Sequence, residues 1–206
     1  MKRCVIVGGA PIDKYQTIKK YITEDDFIIC CDCGLRHADS LGIKPNLITG
    51  DFDSYIKPES SVETIVLPCE KDDTDTFFAV KEAYNRGYRD FLLIGFFGAR
   101  LDHTLGNISI LLWLHNHEAN AIAIDDYSEM EIVSDKPVKI PDSFSFFSLV
   151  TLTGDAKGVN ISNAKYPLVN ADLNCEYQYA VSNEVISGKE ALVSVQKGKL
   201  LLIKDF

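Results

Sequence analysis

The first half of the chain alternates short apolar runs with segments of helical period. RCVIVGG, FIICCD, NLITGD, TIVLP, DFLLIGFFG and AIAID are rich in β-branched and aromatic residues and apolar on both faces of an extended chain. Between them lie a polar segment ending near Tyr21, a short one over about 35–41, and amphipathic ones over about 74–86 and 102–115. Strand then helix, repeated, with strands buried on both faces, predicts an α/β domain with a parallel sheet.

After Asp126 the texture changes. EMEIV, KPVKIP, SFFSLVTLTG, AKGVNIS, QYAVSNEVIS, EALVSVQ and GKLLLIK follow one another with turn signals at roughly ten-residue spacing. That pattern predicts an antiparallel β-sandwich or barrel. The boundary falls between Asp125 and Ser134, giving expected domains over 1–128 and 129–206.

In an open α/β sheet, ligands bind at the carboxyl ends of the strands. The residues expected there are Gly8, Gly9 and Ala10 after the first run, Asp32 after the second, and Asp51 and Asp53 after the third. Lys71, Asp72, Asp73 and Asp75 follow the fourth, and Gly98, Arg100, Asp102 and His103 the fifth. Taken singly, Asp72, Asp73, Thr74 and Asp102 read as helix caps, with Asp75 favourable in a first turn. Taken together, several carboxylates at one sheet edge repel unless a cation sits among them. Carboxylate oxygens suit Mg²⁺, which bridges protein acids to substrate phosphates, and Lys71 and Arg100 supply charge for phosphoryl oxygens. The leading chemistry is metal-assisted phosphoryl transfer.

Composition narrows this further. Thirty acidic residues against twenty-one basic ones leave a formal charge of −9, which argues against a grip on nucleic acid. FLLIGFF and ISILLWL fall well short of the ~20 apolar residues a membrane helix needs. MKRCVIVGGAP reads as a first strand, and a cytoplasmic protein is expected. The six cysteines suggest no disulfide framework, and the Cys30/Cys33 pair lacks the second pair zinc requires. Walker A, protein-kinase, HExxH and GxSxG patterns are all missing.

The chain resembles bacterial thiamine pyrophosphokinases. The resemblance rests on Asp32 followed by Gly34, GDFDS at 50–54, KDDTD at 71–75, GARLDHTLGN at 98–107, GVNISNAKYPL, and SNE at 182–184, in that order along almost the whole chain. It implies an enzyme that moves the pyrophosphoryl group of ATP onto the hydroxyl of thiamine, giving thiamine diphosphate and AMP. It also implies a homodimer with an α/β ATP-binding catalytic domain and a β-sandwich thiamine-binding domain, the vitamin held between subunits. By position, Asp51, Asp53 and Asp75 match the magnesium acids, which with Arg100 form the catalytic set. Asp32, Lys71, Asp72, Asp102, His103 and Asn107 match the ATP side, and Ser182, Asn183 and Tyr166 the thiamine side. Apolar surface at Phe144, Phe146 and Phe147 agrees with pairing.

Two alternatives stand beside this reading. A pyrophosphokinase acting on a pterin alcohol shares the acidic motifs, although the Ser182-Asn183 turn favours thiamine. A non-catalytic nucleotide sensor is expected to have lost acidic or basic motif members, which here are all present. In LITGDFDS, an extended backbone is expected to point Asp51 and Asp53 the same way, with Phe52 facing the core.

Overall fold

The structure is a computed structural model describing residues 2–52, 61–70 and 72–206; Asp53, Ser54 and Lys71 of the sequence expectations lie outside the described residues. The chain divides into two compact units, Met1–Asp126 and Tyr127–Phe206.

The first unit is a parallel sheet of β1 (Cys4–Val7), β2 (Phe27–Cys31), β3 (Leu47–Gly50), β4 (Glu63–Val66), β5 (Asp90–Ile94) and β6 (Asn120–Ile124). Their order is β4-β3-β2-β1-β5-β6. The chain leaves β1 toward β2 and leaves β5 toward β6, so the strand order reverses between β1 and β5. That reversal opens a crevice at their carboxyl ends.

The helices are α1 (Tyr15–Lys19), α2 (Ala38–Leu41), α3 (Asp75–Asn85) and α4 (Leu101–Asn116), with a 3₁₀ helix over Asp32–His37 leading into α2. Val5, Val7, Leu92 and Ile94 pack with Ile18 of α1 and Leu41 of α2. Strand alternation leaves Cys4 and Ile6 for the opposite face, and α3 packs against β1, β2 and β3. The buried face of α3 is Ala79, Val80 and Ala83.

The second unit pairs β7 (Ser128–Val133), β13 (Leu200–Asp205) and β9 (Phe146–Thr151), and separately β11 (Leu168–Leu173), β10 (Ala156–Ser162), β12 (Glu190–Ser194) and β8 (Val138–Pro141), all antiparallel. Phe147, Leu149, Leu200 and Leu202 of the first set share one core with Ile140, Val159, Ile161 and Val193 of the second, which makes a sandwich. Register sets Lys204 opposite Glu129, and its ammonium reaches Glu129 and Glu131. This buried cation is thereby paired on the same sheet face.

Three sequence expectations change. QYAVSNEVIS makes only single bridges, through Asn183 and Val185, because Ser182 adopts a left-handed backbone (φ 56°) that breaks the extended run. The strand is instead Leu168–Leu173, an edge strand so exposed and Asn/Asp-rich that it carries little apolar alternation. Finally, Phe147 is core and Phe144 stacks on Phe206, leaving Phe146 as the exposed member of the three.

Candidate functional site

The crevice between β1 and β5 is a cleft of about 580 Å³. Three acids enter it from three elements. Asp32 opens the 3₁₀ helix after β2, Asp51 follows β3, and Asp75 is the first residue of α3. Each offers a carboxylate oxygen, and these oxygens all lie within 4.8 Å of one another. Asp32 is buried and the other two are half-buried.

Local sequence explains the convergence. Gly50 ends β3 directly beside Asp32: a Cβ there would fall 2.7 Å from the Cβ of Asp32, so only glycine lets the two backbones approach this closely. Thr74 caps α3 by accepting from the Phe77 amide at 3.2 Å, which fixes where the helix starts and hence where Asp75 sits. Gly95, with φ 66°, turns the chain sharply after β5 while its carbonyl accepts from the Ala10 amide.

The expected geometry of LITGDFDS does not hold at Phe52. Its φ is 56° and its ring is only half-buried, so the chain leaves the extended form straight after Asp51; the Asp53 part of that expectation lies outside the described residues. Asp32, expected beside the metal acids, is one of the three clustered carboxylates.

Positive and neutral groups line the same cleft. Arg100, His103 and Asn107 come from the start of α4 and its first turns, and Arg36 from the 3₁₀ helix. Arg36 has no place among the sequence expectations; its guanidinium donates to the Gly9 carbonyl. No local pattern marks it, because its partner Gly9 lies 27 residues away and becomes a neighbour only on folding. Arg100 pairs with Asp102 at 2.6 Å, and both side chains are exposed. That pairing and the His103 amide hold the Asp102 carboxyl down to about 2. Asp72 is exposed on the loop before α3.

Beneath the Gly8–Pro11 loop lies His37, 3% exposed. Its Nε2–H donates to the Ala10 carbonyl (2.9 Å), since a carbonyl only accepts, and the Tyr15 hydroxyl therefore donates to Nδ1 (2.7 Å). Burial, then the neighbouring charge of Arg36, pushes its pKa below the ordinary value.

In the second unit the structure brings Tyr166, Ser182 and Asn183 together. The buried Asn183 amide donates to the Tyr166 carbonyl (2.8 Å) and accepts from the Tyr166 amide (3.0 Å), while the Tyr166 ring is exposed. The Ser182 amide donates to the Ser148 hydroxyl. Asn183 thus clamps the loop that presents the ring.

The three clustered carboxylates are hard oxygen donors, and their mutual repulsion is relieved by a divalent cation, so the donor set fits Mg²⁺.

Comparisons with known proteins cover the whole chain. The family model described as "Thiamin pyrophosphokinase, catalytic domain" matches residues 18–123, and "Thiamin pyrophosphokinase, vitamin B1 binding domain" matches 131–200. A thiamine pyrophosphokinase of Bacillus subtilis is 26% identical, with 100% of this chain and 99% of that protein covered. The crystal structure of thiamine pyrophosphokinase from Bacillus subtilis superposes with a TM-score of 0.88 at 25% identity, covering 99% of each chain. Thiamin pyrophosphokinase from Candida albicans shares the fold, with a TM-score of 0.78 at 14% identity, covering 100% of this chain and 89% of that one.

Two predictions follow from the geometry. Gly50→Ala should push Asp32 off the other acids and weaken Mg²⁺ binding about tenfold or more by titration calorimetry; an unchanged affinity would show that the close approach is not needed. For His37, the lowered folded pKa means that the unfolded chain takes up the proton first as pH falls. Its contribution to stability is therefore full above the ordinary value of 6.5 and is lost as pH drops below it. Denaturant unfolding at pH 7.5 and 5.5 should show a larger loss for the wild type than for His37→Gln; equal losses would remove His37 from the acid response.

Proposed function

The chain belongs to the thiamin pyrophosphokinase family, and from that premise we propose that its acid-lined cleft carries the terminal pyrophosphoryl group of ATP, as one unit, to the primary hydroxyl of thiamine. The observation that carries the reading is the meeting of Asp32, Asp51 and Asp75 at the strand-order reversal, with Arg36 and Arg100 lining the same cleft. Three acids alone would repel a polyphosphate. Three acids with a divalent cation among them, and guanidinium groups nearby, attract one.

In the reaction the thiamine oxygen bonds to the β-phosphorus, the bond from that phosphorus to the α–β bridging oxygen breaks, and AMP leaves with that oxygen. The hydroxyl proton passes to a carboxylate or to water. Asp32, Asp51 and Asp75 would hold Mg²⁺, with Asp53 as a further candidate from the sequence. When bound, the ion neutralises charge on the polyphosphate and on the leaving group. Arg100 and Arg36 act as the guanidinium clamp, and His103 adds a donor on the α4 side. Lys71 is read as a further cation for the triphosphate, and Asp72, Asp102 and Asn107 as supports of the same loops. Positioning and charge neutralisation supply most of the catalysis in this chemistry, so no single general base is required.

On the acceptor side, the exposed Tyr166 ring and the Ser182-Asn183 turn are read as the thiamine contacts, the ring facing a cationic heterocycle. A homodimer follows from the family reading, and the exposed Tyr166, Val169 and Tyr177 agree with a covered face. We read the enzyme as cytoplasmic; among the described residues no helix is long and apolar enough to cross a membrane.

Incubation with ATP, Mg²⁺ and thiamine should yield AMP and thiamine diphosphate in equal amounts, and chelation with EDTA should stop the reaction. ADP as the stoichiometric product, or preference for a pterin alcohol offered in the same tube, would overturn the assignment.

A further inference from the structure

A row of hydrogen bonds runs beside the acid cluster, and its direction can be worked out bond by bond. Asn107 Nδ2 lies 2.5 Å from the Phe96 carbonyl, which can only accept. That fixes the amide's orientation and turns its oxygen toward Thr76, whose hydroxyl lies at 3.0 Å and must donate. A hydroxyl has one proton, so toward Thr74, at 3.1 Å, Thr76 can only accept. Thr74 in turn donates to Thr76 and accepts from the Phe77 amide. Every bond points one way, from the first turn of α3 through Thr74, Thr76 and Asn107 to the loop after β5.

The two threonines flank Asp75 in sequence, and the carbonyl at the far end belongs to the loop that leads into Arg100. The row thus ties the backbone on both sides of a clustered acid to the segment carrying the guanidinium. Asn107 is buried and Thr76 half-buried, so water competes weakly for the two bonds at the Asn107 amide, while the Thr74 end of the row is exposed. The Thr76 methyl also packs toward Gly8, where an added Cβ would meet it at 3.2 Å.

We propose that Thr76 is a positioning residue: its hydroxyl, as the central link of this row, sets the separation between the Asp75 carboxylate and the Arg100 loop. Asn107 acts through the same row, by holding the Phe96 carbonyl. Misplacement of reacting groups by an ångström or less is costly in transfer reactions whose catalysis is mostly alignment. Thr76 lines the cleft beside Asp75 and governs turnover through this row, by where it holds the acid and the loop. The inference rests on the pyrophosphoryl-transfer reading for its kinetic arm and is independent of it for its exchange arm.

Thr76→Val keeps the shape and the methyl toward Gly8 while removing the hydroxyl; Thr76→Ser keeps the hydroxyl. The expected result is a fall in kcat of about 10- to 100-fold for Thr76→Val, with little change in KM for thiamine, and recovery to within about threefold for Thr76→Ser. Hydrogen exchange of the 95–101 segment, measured without substrates, should quicken in Thr76→Val and not in Thr76→Ser. Thr76→Ala serves as a second hydroxyl-free variant should the valine fold poorly. A Thr76→Val enzyme with wild-type kcat, a serine variant as impaired as the valine, or unchanged exchange would each overturn the proposal. A wild-type protein that releases no AMP would instead overturn the reading of the reaction, leaving the exchange result to judge the row by itself.

Discussion

Repulsion among Asp32, Asp51 and Asp75 is the constraint around which the first unit is organised. At separations within 4.8 Å, two ionised carboxylates oppose each other by about 3.5 kcal/mol at an effective dielectric near 20. No local preference of the chain would bring them there. They are held by what is rigid around them: the ends of β2 and β3, paired in register from Ile29 with Leu47 to Cys31 with Thr49, and the capped start of α3. The core beneath supplies the stiffness, with Ile6, Ile29, Leu92 and Ile94 almost entirely buried.

The loops complete the arrangement by removing bulk or adding polar ties. Gly50 is bare where Asp32 needs room, and Gly95 turns where the β5 loop must meet the β1 loop. His37 holds the Ala10 carbonyl from below, and Asn107 holds the Phe96 carbonyl from the side. Each tie uses a neutral donor, so the net negative character of the cluster is left for a cation to answer. In the second unit, Asn183 does the corresponding work for the Tyr166 loop.

Much of this was legible in the sequence because it depends on periodicity and punctuation. The parallel strands read as unbroken apolar runs, and the acids follow those runs immediately, so the sheet edge and its chemistry could be placed together. What escaped depended on backbone sign and on long-range partners. The left-handed turns at Phe52 and Ser182 occur at residues that seldom adopt them, so the extended readings of LITGDFDS and QYAVSNEVIS failed there. The edge strand Leu168–Leu173 carries little apolar alternation to be read. Arg36 and Thr76 were invisible as site residues because their roles come from Gly9 and Asn107, distant along the chain and adjacent only after folding.

On this reading Asp32, Asp51 and Asp75 are held against their own repulsion, and a divalent cation would relieve it. Asp51 tests this most cleanly, since it follows a strand and sits in no helix whose dipole its charge would serve. In EDTA, the urea midpoint of Asp51→Asn should lie above that of the wild type, because one repelling charge is gone. With Mg²⁺ added, the order should reverse as the wild type gains stability by binding. A metal-free Asp51→Asn protein less stable than the wild type, together with a wild type that gains nothing from Mg²⁺, would contradict the account.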